Sequence, residues 1–198
     1  MRVPGASADH TFLFVDLVGF TALADIEGDD RAAEVALELH RRVRATLHEY
    51  GGEEVKALGD GIMLRCADAG EGIRLGLRIV GELEDDPRIP SVRVGIHSGP
   101  AVGHEGDWYG RAVNVAARLC AVAPGGEVLV SDTAREAAGR LRKVEFGERR
   151  LHWLRNVTEP VPTFTARERD CPGSGRWRAI ATRARRTGLA KASFGVAS

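Results

Sequence analysis

Two aspartates in this 198-residue sequence are placed so that together they can hold a divalent metal ion. Asp16 follows the apolar segment 12–15, which predicts a buried strand, and Asp60 lies in a Gly-Asp-Gly turn between two short strands. In a β-α-β-β unit the end of the first strand lies beside the tip of the central hairpin, so the two carboxylates converge. Carboxylate oxygens are suited to Mg²⁺ or Mn²⁺. Either acid alone is more simply a turn or cap residue, so the metal site is predicted from the pair.

A second pair, Asn114 and Arg118, is spaced four residues apart in the segment RAVNVAARL. On a helix this spacing puts both side chains on one face, while the apolar Val115, Leu119 and Val122 lie on another. A guanidinium is planar, always charged and suited to phosphate oxygens. The pair therefore indicates either a phosphate-handling site or, as the simpler alternative, a solvated polar face.

The elements predicted around these residues alternate between strands and helices. Strands are predicted over 11–17, 54–58, 61–67, 91–99 and 126–131, with closing strands in 142–153 and 161–166. Helices are predicted over 29–50, 68–84, 111–122 and 131–140. The apolar face of the first helix is assigned to Ala33, Ala36, Leu37, Val43 and Leu47. The order predicts an α+β fold with a ferredoxin-like β-α-β-β-α-β core.

Three smaller expectations concern single residues. Phe20 and Thr21 are expected to start a helix, with Thr21 as its cap and Phe20 packing near the metal loop. His97 lies on an alternating strand and is interpreted as structural.

Charge and composition divide the chain into a leader at 1–9, a domain at 10–166 and a basic tail at 167–198. The tail carries eight Lys or Arg and two Asp or Glu, a net of +6 that balances −6 in the rest of the chain. We expect the tail to be disordered, with a short basic helix near 176–187. It is most simply a solubilising extension, although its arginines also suit RNA, lipid or the acidic domain itself.

The zero net charge excludes a global field that attracts nucleic acid or membrane. No apolar run is long enough to span a bilayer, and no signal peptide is recognisable. The three cysteines, Cys66, Cys120 and Cys171, lack metal-ligand spacing and are expected to be reduced thiols. A cytoplasmic protein is expected.

The segment 51–55, GGEEV, differs by one letter from the GGEEF signature of diguanylate cyclases. That signature lies at a hairpin tip and needs a strand on each side. Here Gly51 follows a long amphipathic helix and resembles a helix stop, whereas the better hairpin tip is at Gly59-Asp60-Gly61. The likeness to GGEEF is therefore interpreted as coincidental.

Five segments resemble, in order and spacing, the catalytic domains of class III adenylate/guanylate cyclases. They are FLFVDLVGFTAL, GGEEVKALGDGIML, VRVGIHSGPAVG, DWYGRAVNVAARLCAVAPGGEVLVS and, more weakly, LHWLRNVTEPVPTFTA. The resemblance covers about residues 11–166 and implies the class III nucleotidyl cyclase type of ferredoxin-like core, with additional C-terminal α and β elements.

The resemblance also implies a role for each candidate residue. Two divalent ions, Mg²⁺ or Mn²⁺, would be held by Asp16, Asp60 and the backbone carbonyl of Leu17. Asn114 would orient the ribose of the substrate, and Arg118 would stabilise the transition state.

Three further residues are assigned to substrate binding. Lys56 donates hydrogen bonds and ionised Asp107 accepts them, which matches N1 and the 6-amino group of adenine. Read separately, they are an exposed strand lysine and a loop acid. Arg155 stands where the family commonly has the Lys of a Lys-Gly dipeptide, and is assigned to a terminal phosphate.

The expected function is an adenylyl cyclase that converts ATP to 3′,5′-cyclic AMP and pyrophosphate. The resemblance implies a head-to-tail homodimer in which one subunit supplies Asp16 and Asp60, and the other supplies the remaining groups: Lys56, Asp107, Asn114 and Arg118. The alternatives are a guanylyl cyclase, which Lys56 and Asp107 disfavour, and a non-catalytic, nucleotide-binding cyclase-like module.

Overall fold

The structure is a computed structural model and describes residues 9–169. Most of the predicted leader, Cys171 and the proposed basic helix at 176–187 lie outside the described residues. No helix within 9–169 is long and apolar enough to cross a membrane.

The described residues form ten strands and five α-helices. The strands are β1 (Asp9–Leu17), β2 (Gly52–Leu58), β3 (Gly61–Cys66), β4 (Val92–Pro100), β5 (Val102–His104), β6 (Asp107–Tyr109), β7 (Val128–Ser131), β8 (Val144–Phe146), β9 (Arg150–His152) and β10 (Val161–Glu168). The helices are α1 (Phe20–Glu27), α2 (Asp29–Leu47), α3 (Ala69–Glu84), α4 (Arg111–Val122) and α5 (Asp132–Ala138). A 3₁₀ turn at His48–Tyr50 extends α2.

Eight of the strands form one sheet in the order β2-β3-β1-β4-β7-β10-β8, with β9 also on β10. The first four strands pair antiparallel with one another and, with α1, α2 and α3 between them, make the predicted ferredoxin-like core. Strand β7 joins parallel to β4, and β10 then returns antiparallel. The α+β prediction is confirmed, including the C-terminal elements. Strand β10 runs through Glu168, two residues beyond the predicted end of the domain.

Two local predictions are wrong. Thr21 does not cap α1, because the helix begins at Phe20 and its cap position is Gly19, with φ 77° and no side-chain bond. In α2, Ala33 and Leu37 are exposed, and Leu37 keeps 65% of its surface. The buried stripe is instead centred on Val35, Leu39 and Val43 at four-residue spacing, which lies on the opposite side of the helix from Leu37.

Other local predictions are confirmed. Phe20 packs against the main core. Gly51, with φ 57°, ends the 3₁₀ turn, and strand β2 begins at the next residue. The GGEEV segment is therefore a helix stop and strand entry rather than a hairpin tip.

Three buried titratable groups in the core, His97, Cys66 and Cys120, are held neutral. His97 is 6% exposed, and its Nδ1 lies 2.9 Å from the Ser131 hydroxyl. Burial, with a smaller contribution from the charge of Arg111, lowers the pKa of His97 to about 4. Burial likewise raises the pKa of Cys66 and of Cys120 to about 12. Both cysteines are free thiols, and His97 is structural as predicted.

The two faces of the sheet are covered differently. Alternate residues of β1, such as Leu13 and Val15, enter a large core that α2 and α3 complete. The other residues, Phe12 and Phe14, lie in a smaller cluster with residues of α4 and with Trp108. Polar side chains of β1, β2 and β3 can remain accessible on this second face because its cover is incomplete.

Helix α4 packs directly on the backbone of β4 at Gly95. A Cβ built on Gly95 would lie 2.1 Å from the Cys120 nitrogen and 2.6 Å from the Ala116 carbonyl oxygen. Real Cβ contacts are not this short, so any other residue would push the helix away from the sheet. Glycine at this position fixes how close α4 lies to the sheet.

We predict that Gly95→Ala lowers the free energy of unfolding by about 1–3 kcal/mol, because the methyl group overpacks a helix–sheet contact made of backbone atoms. Urea unfolding followed by circular dichroism measures the loss. Gly147→Ala is the matched control, since its Cβ would meet its nearest atom at 3.6 Å. Equal stability of the two variants would contradict the overpacking argument.

Candidate active site

The hairpin between β2 and β3 brings the two predicted metal-binding acids to one end of the sheet. Leu58 pairs with Gly61, so Gly59 and Asp60 form a two-residue turn, and Gly59 has φ 65°. On its other side β3 pairs with β1, where Asp16 is opposite Gly61. A Cβ on Gly61 would lie 2.9 Å from the Val15 carbonyl oxygen. Glycine here allows the acidic turn to lie close to Asp16.

Arg93 is the cationic partner of this acidic pair. Its Nε and Nη2 donate to the same Asp16 oxygen at 2.8 and 2.5 Å, and its Nη1 donates to the Ala121 carbonyl at 2.8 Å. Burial and then the neighbouring Asp16 charge raise the pKa of Asp60, whereas Arg93 acts in the opposite direction. Arg93 is not among the residues predicted from the sequence. It lies on the strand that pairs with β1, opposite Asp16, and only the register reveals this.

The donor set at this end of the sheet fits a hard divalent cation. Two carboxylates, on Asp16 and Asp60, meet where β1 ends at Leu17. Within residues 9–169, no group of three or more His, Cys, Asp or Glu side chains is arranged so that it could hold a metal ion. Nearby Cys120 has its pKa raised by burial and remains a thiol. Oxygen donors of this kind suit Mg²⁺ or Mn²⁺ rather than a thiolate-seeking metal.

Lys56 and Asp107 form an ion pair across two different elements. The Lys56 Nζ donates to Asp107 Oδ2 at 2.5 Å, and the Trp108 backbone N–H donates to Oδ1 at 2.8 Å. The Lys56 ammonium, followed by the Trp108 N–H, lowers the pKa of Asp107, so this side chain is an ionised acceptor at neutral pH. Asp107, which by itself would be interpreted as a loop acid, lies instead in a strand of the separate β5–β6 ribbon.

Helix α4 presents the predicted Asn114 and Arg118 away from the core. Asn114 is exposed and Arg118 is half-buried, while Val115 and Leu119 are fully buried beneath them. Val122, predicted to share the apolar face, is 45% exposed because it is the last residue of the helix. The Arg118 Nε is buried without a hydrogen-bond partner in the described part of the chain. A buried N–H without an acceptor costs free energy of folding. A hydrogen bond from this group to an acceptor such as a phosphate oxygen would therefore be favourable.

Arg155 and Asn156 occupy an exposed loop between β9 and β10. Asn156 adopts φ 58°, in the left-handed region that glycine favours and asparagine tolerates better than most residues. Asparagine therefore keeps a glycine-like turn beside the exposed Arg155.

The structure thus arranges the predicted residues as two groups on one face of the sheet. Asp16 and Lys56 lie opposite Gly61 and Met63 of β3, which are two residues apart and point to the same side. Asp60 adjoins Asp16, Asp107 contacts Lys56, and α4 covers the same face with Asn114 and Arg118. Arg155 does not contact either group.

Comparison with known proteins identifies a family and similar solved structures. The model of the adenylate and guanylate cyclase catalytic domain matches residues 5–155. A pH-sensitive adenylate cyclase from Mycobacterium tuberculosis is 36% identical over 159 residues, which cover 77% of this chain and 40% of that protein. The chain therefore spans less than half the length of this curated relative.

Two solved structures are similar over most of this domain. An adenylate cyclase from Trypanosoma brucei has a TM-score of 0.70 at 25% identity, covering 83% of this chain and 91% of that chain. An adenylate/guanylate cyclase/hydrolase from Silicibacter pomeroyi has a TM-score of 0.66 at 30% identity, covering 80% of this chain and 96% of that chain.

We predict that Arg93→Gln lowers the free energy of unfolding of the metal-free protein by about 1–3 kcal/mol, because Asp16 loses a charged hydrogen-bond partner beside Asp60. Added Mn²⁺ should raise the melting temperature of this variant more than that of the wild type, since the cation replaces the lost positive charge. Thermal unfolding in EDTA and in Mn²⁺ measures both effects.

The matched control is Arg41→Gln, which removes an exposed arginine from its Glu38 partner on α2. Exposed ion pairs of this kind contribute little, so its melting temperature should equal that of the wild type in both buffers. An Arg93→Gln variant that behaves like this control would show that Arg93 does not balance the acids.

Proposed function

Because the chain belongs to the family of adenylate and guanylate cyclase catalytic domains, we propose that it is an adenylate cyclase, which converts ATP to 3′,5′-cyclic AMP and pyrophosphate. The observation that supports ATP is the pairing of Lys56 with Asp107. A fixed donor beside a fixed acceptor matches N1 and the 6-amino group of adenine, whereas guanine presents the reverse pattern. The relatives from Mycobacterium and Trypanosoma are both named as adenylate cyclases.

Asp16, Asp60 and the Leu17 carbonyl would hold two divalent ions, Mg²⁺ or Mn²⁺. When bound, such ions supply Lewis-acid activation of the ribose 3′-hydroxyl and neutralise charge on the triphosphate. Without them Arg93 is the positive group that balances Asp16.

The other side chains bind and orient the substrate. Asn114 would position the ribose so that its 3′-oxygen faces the α-phosphorus. Arg118 would donate its unpaired N–H to the phosphate oxygens as negative charge develops on them. Arg155 would contact the terminal phosphate through its fork of donors.

The proposed assembly is a head-to-tail homodimer with its sites at the interface. One subunit would provide Asp16 and Asp60, and the other would provide Lys56, Asp107, Asn114 and Arg118. Since each chain carries both sets, a two-fold dimer would contain two equivalent sites. Buried thiols at Cys66 and Cys120 support a reducing, cytoplasmic location.

The test incubates purified protein and Mn²⁺ with ATP or with GTP, and identifies the cyclic product by mass. Cyclic AMP from ATP supports the proposal. Formation of cyclic GMP from GTP with a higher kcat/KM than for ATP would make the protein a guanylate cyclase. Binding of nucleotide without any product would make it a non-catalytic module.

We predict that Asp60→Ala and Arg118→Ala homodimers each form no cyclic AMP, and that mixing the two variants restores activity. Each site needs Asp60 from one subunit and Arg118 from the other, so either change inactivates both sites of a homodimer. In a mixed dimer both changes fall in the same site, and the second site is intact. Turnover is measured after co-refolding, and mixed dimers are counted by differently tagged subunits. If mixed dimers form but remain inactive, the shared-site arrangement is wrong.

We further predict that Lys56→Glu combined with Asp107→Cys lowers kcat/KM for ATP by at least about tenfold. A site built around hydrogen bonds rejects a ligand that leaves its polar groups unpaired. The matched control is Arg44→Glu with Glu54→Cys, which alters an ion pair of similar length on α2 and β2. An unchanged ATP-to-GTP preference in the first double variant would show that this pair does not read the base.

A further inference from the structure

The ribbon formed by β5 and β6 carries Asp107 but is separate from the main sheet. Only three residue pairs join its two strands, and Val102 and Tyr109 are exposed at 61% and 55%. A two-stranded ribbon of this length is not stable by itself in water. Another contact must therefore hold Asp107 in place.

That contact is the indole of Trp108, the residue next to Asp107. The indole packs in the cluster on the second face of the sheet, with its ring 5.8 Å from the ring of Phe12 and 4.3 Å from that of His10. The Arg65 guanidinium lies 4.9 Å from its centroid, a cation–π distance. Trp108 thus anchors the ribbon to β1 and β3.

The groups around the indole hold one another in place. Arg65 Nη1 lies 3.0 Å from His10 Nδ1, and since arginine can only donate, that nitrogen of His10 is the acceptor. Arg65 Nη2 donates to Glu53 at 2.7 Å. Three strands of the main sheet therefore fix the guanidinium that covers the indole.

The backbone N–H of Trp108 contacts Asp107, the acid proposed to recognise the base. Its N–H donates to Asp107 Oδ1, while Lys56 donates to Oδ2. Both oxygens are thus oriented, one by the lysine and the other by a peptide group whose position the partly buried indole determines.

We propose that Trp108 is a positioning residue for base recognition: its indole, held against His10 and Arg65, fixes the peptide that orients the Asp107 carboxylate. The inference rests on the proposed function in that Asp107 reads adenine. Trp108 itself touches no substrate in this role. Its loss would leave the Lys56–Asp107 pair chemically intact but free to turn, so the protein would lose discrimination between bases before it loses the fold.

The experiment compares Trp108→Leu, Trp108→Phe and the wild type for ATP and GTP. We expect Trp108→Leu to lower the ratio of kcat/KM for ATP over GTP by at least about tenfold, chiefly through KM for ATP. Trp108→Phe should restore most of the ratio, because a phenyl ring can still pack against His10 and Arg65. Equilibrium dissociation constants for both nucleotides are measured alongside turnover.

The matched control is Phe146→Leu, which removes an aromatic contact with Phe164 at 6.2 Å on the far edge strand β8. It should lower the melting temperature without changing the preference between nucleotides. If Trp108→Leu does not fold, Arg65→Met keeps the indole, removes the guanidinium above it, and is expected to lower the ratio in the same direction.

Turnover of the wild type tests the proposed function separately. If the wild type binds ATP more tightly than GTP but forms no product, the proposed cyclase activity is refuted. The inference about Trp108 can still be tested with the dissociation constants. The inference is overturned if the folded Trp108 or Arg65 variant discriminates as well as the wild type, or if the wild type does not discriminate.

Discussion

The direct packing of helix α4 on Gly95 is the contact on which the arrangement of the site depends. With no side chain between helix and strand, the helix cannot shift toward or away from the sheet without changing backbone contacts. Helix α4 carries Asn114 and Arg118, and its Ala121 carbonyl accepts a hydrogen bond from Arg93, the partner of Asp16. The separation of α4 from β4 therefore sets the positions of Asn114 and Arg118, and of the Ala121 carbonyl that holds Arg93 beside Asp16.

The unequal cover of the sheet makes this arrangement possible. The larger core, closed by α2 and α3, buries most of the apolar side chains and stabilises the sheet from one side. The opposite face needs less apolar cover, so charged side chains such as Lys56 and Asp16 can lie there half-buried with partners. The face that contributes less to stability is therefore the one that carries the candidate site residues.

Much of this could be predicted from sequence, because apolar periodicity and turn residues act locally. The strand before Asp16, the turn at Asp60 and the helix that carries Asn114 and Arg118 are all of this kind. What could not be predicted depends on contacts between distant segments. That Arg93 lies opposite Asp16 is known only from the register of β1 and β4. The side chains around Trp108 come from three strands that are distant in sequence. In α2, Leu37 matched the apolar pattern but lies on the solvent side, because pattern alone does not say which stripe meets the sheet.

The ion pair between Lys56 and Asp107 also has a kinetic consequence. A paired cation and anion produce little field beyond their own length, so this pair exerts almost no pull on a nucleotide that is still in solution. In the proposed function, long-range attraction would come from arginines that act on phosphates, and ATP and GTP carry the same phosphates. The two nucleotides would therefore arrive at similar rates, and the choice between them would be made by how quickly each one leaves.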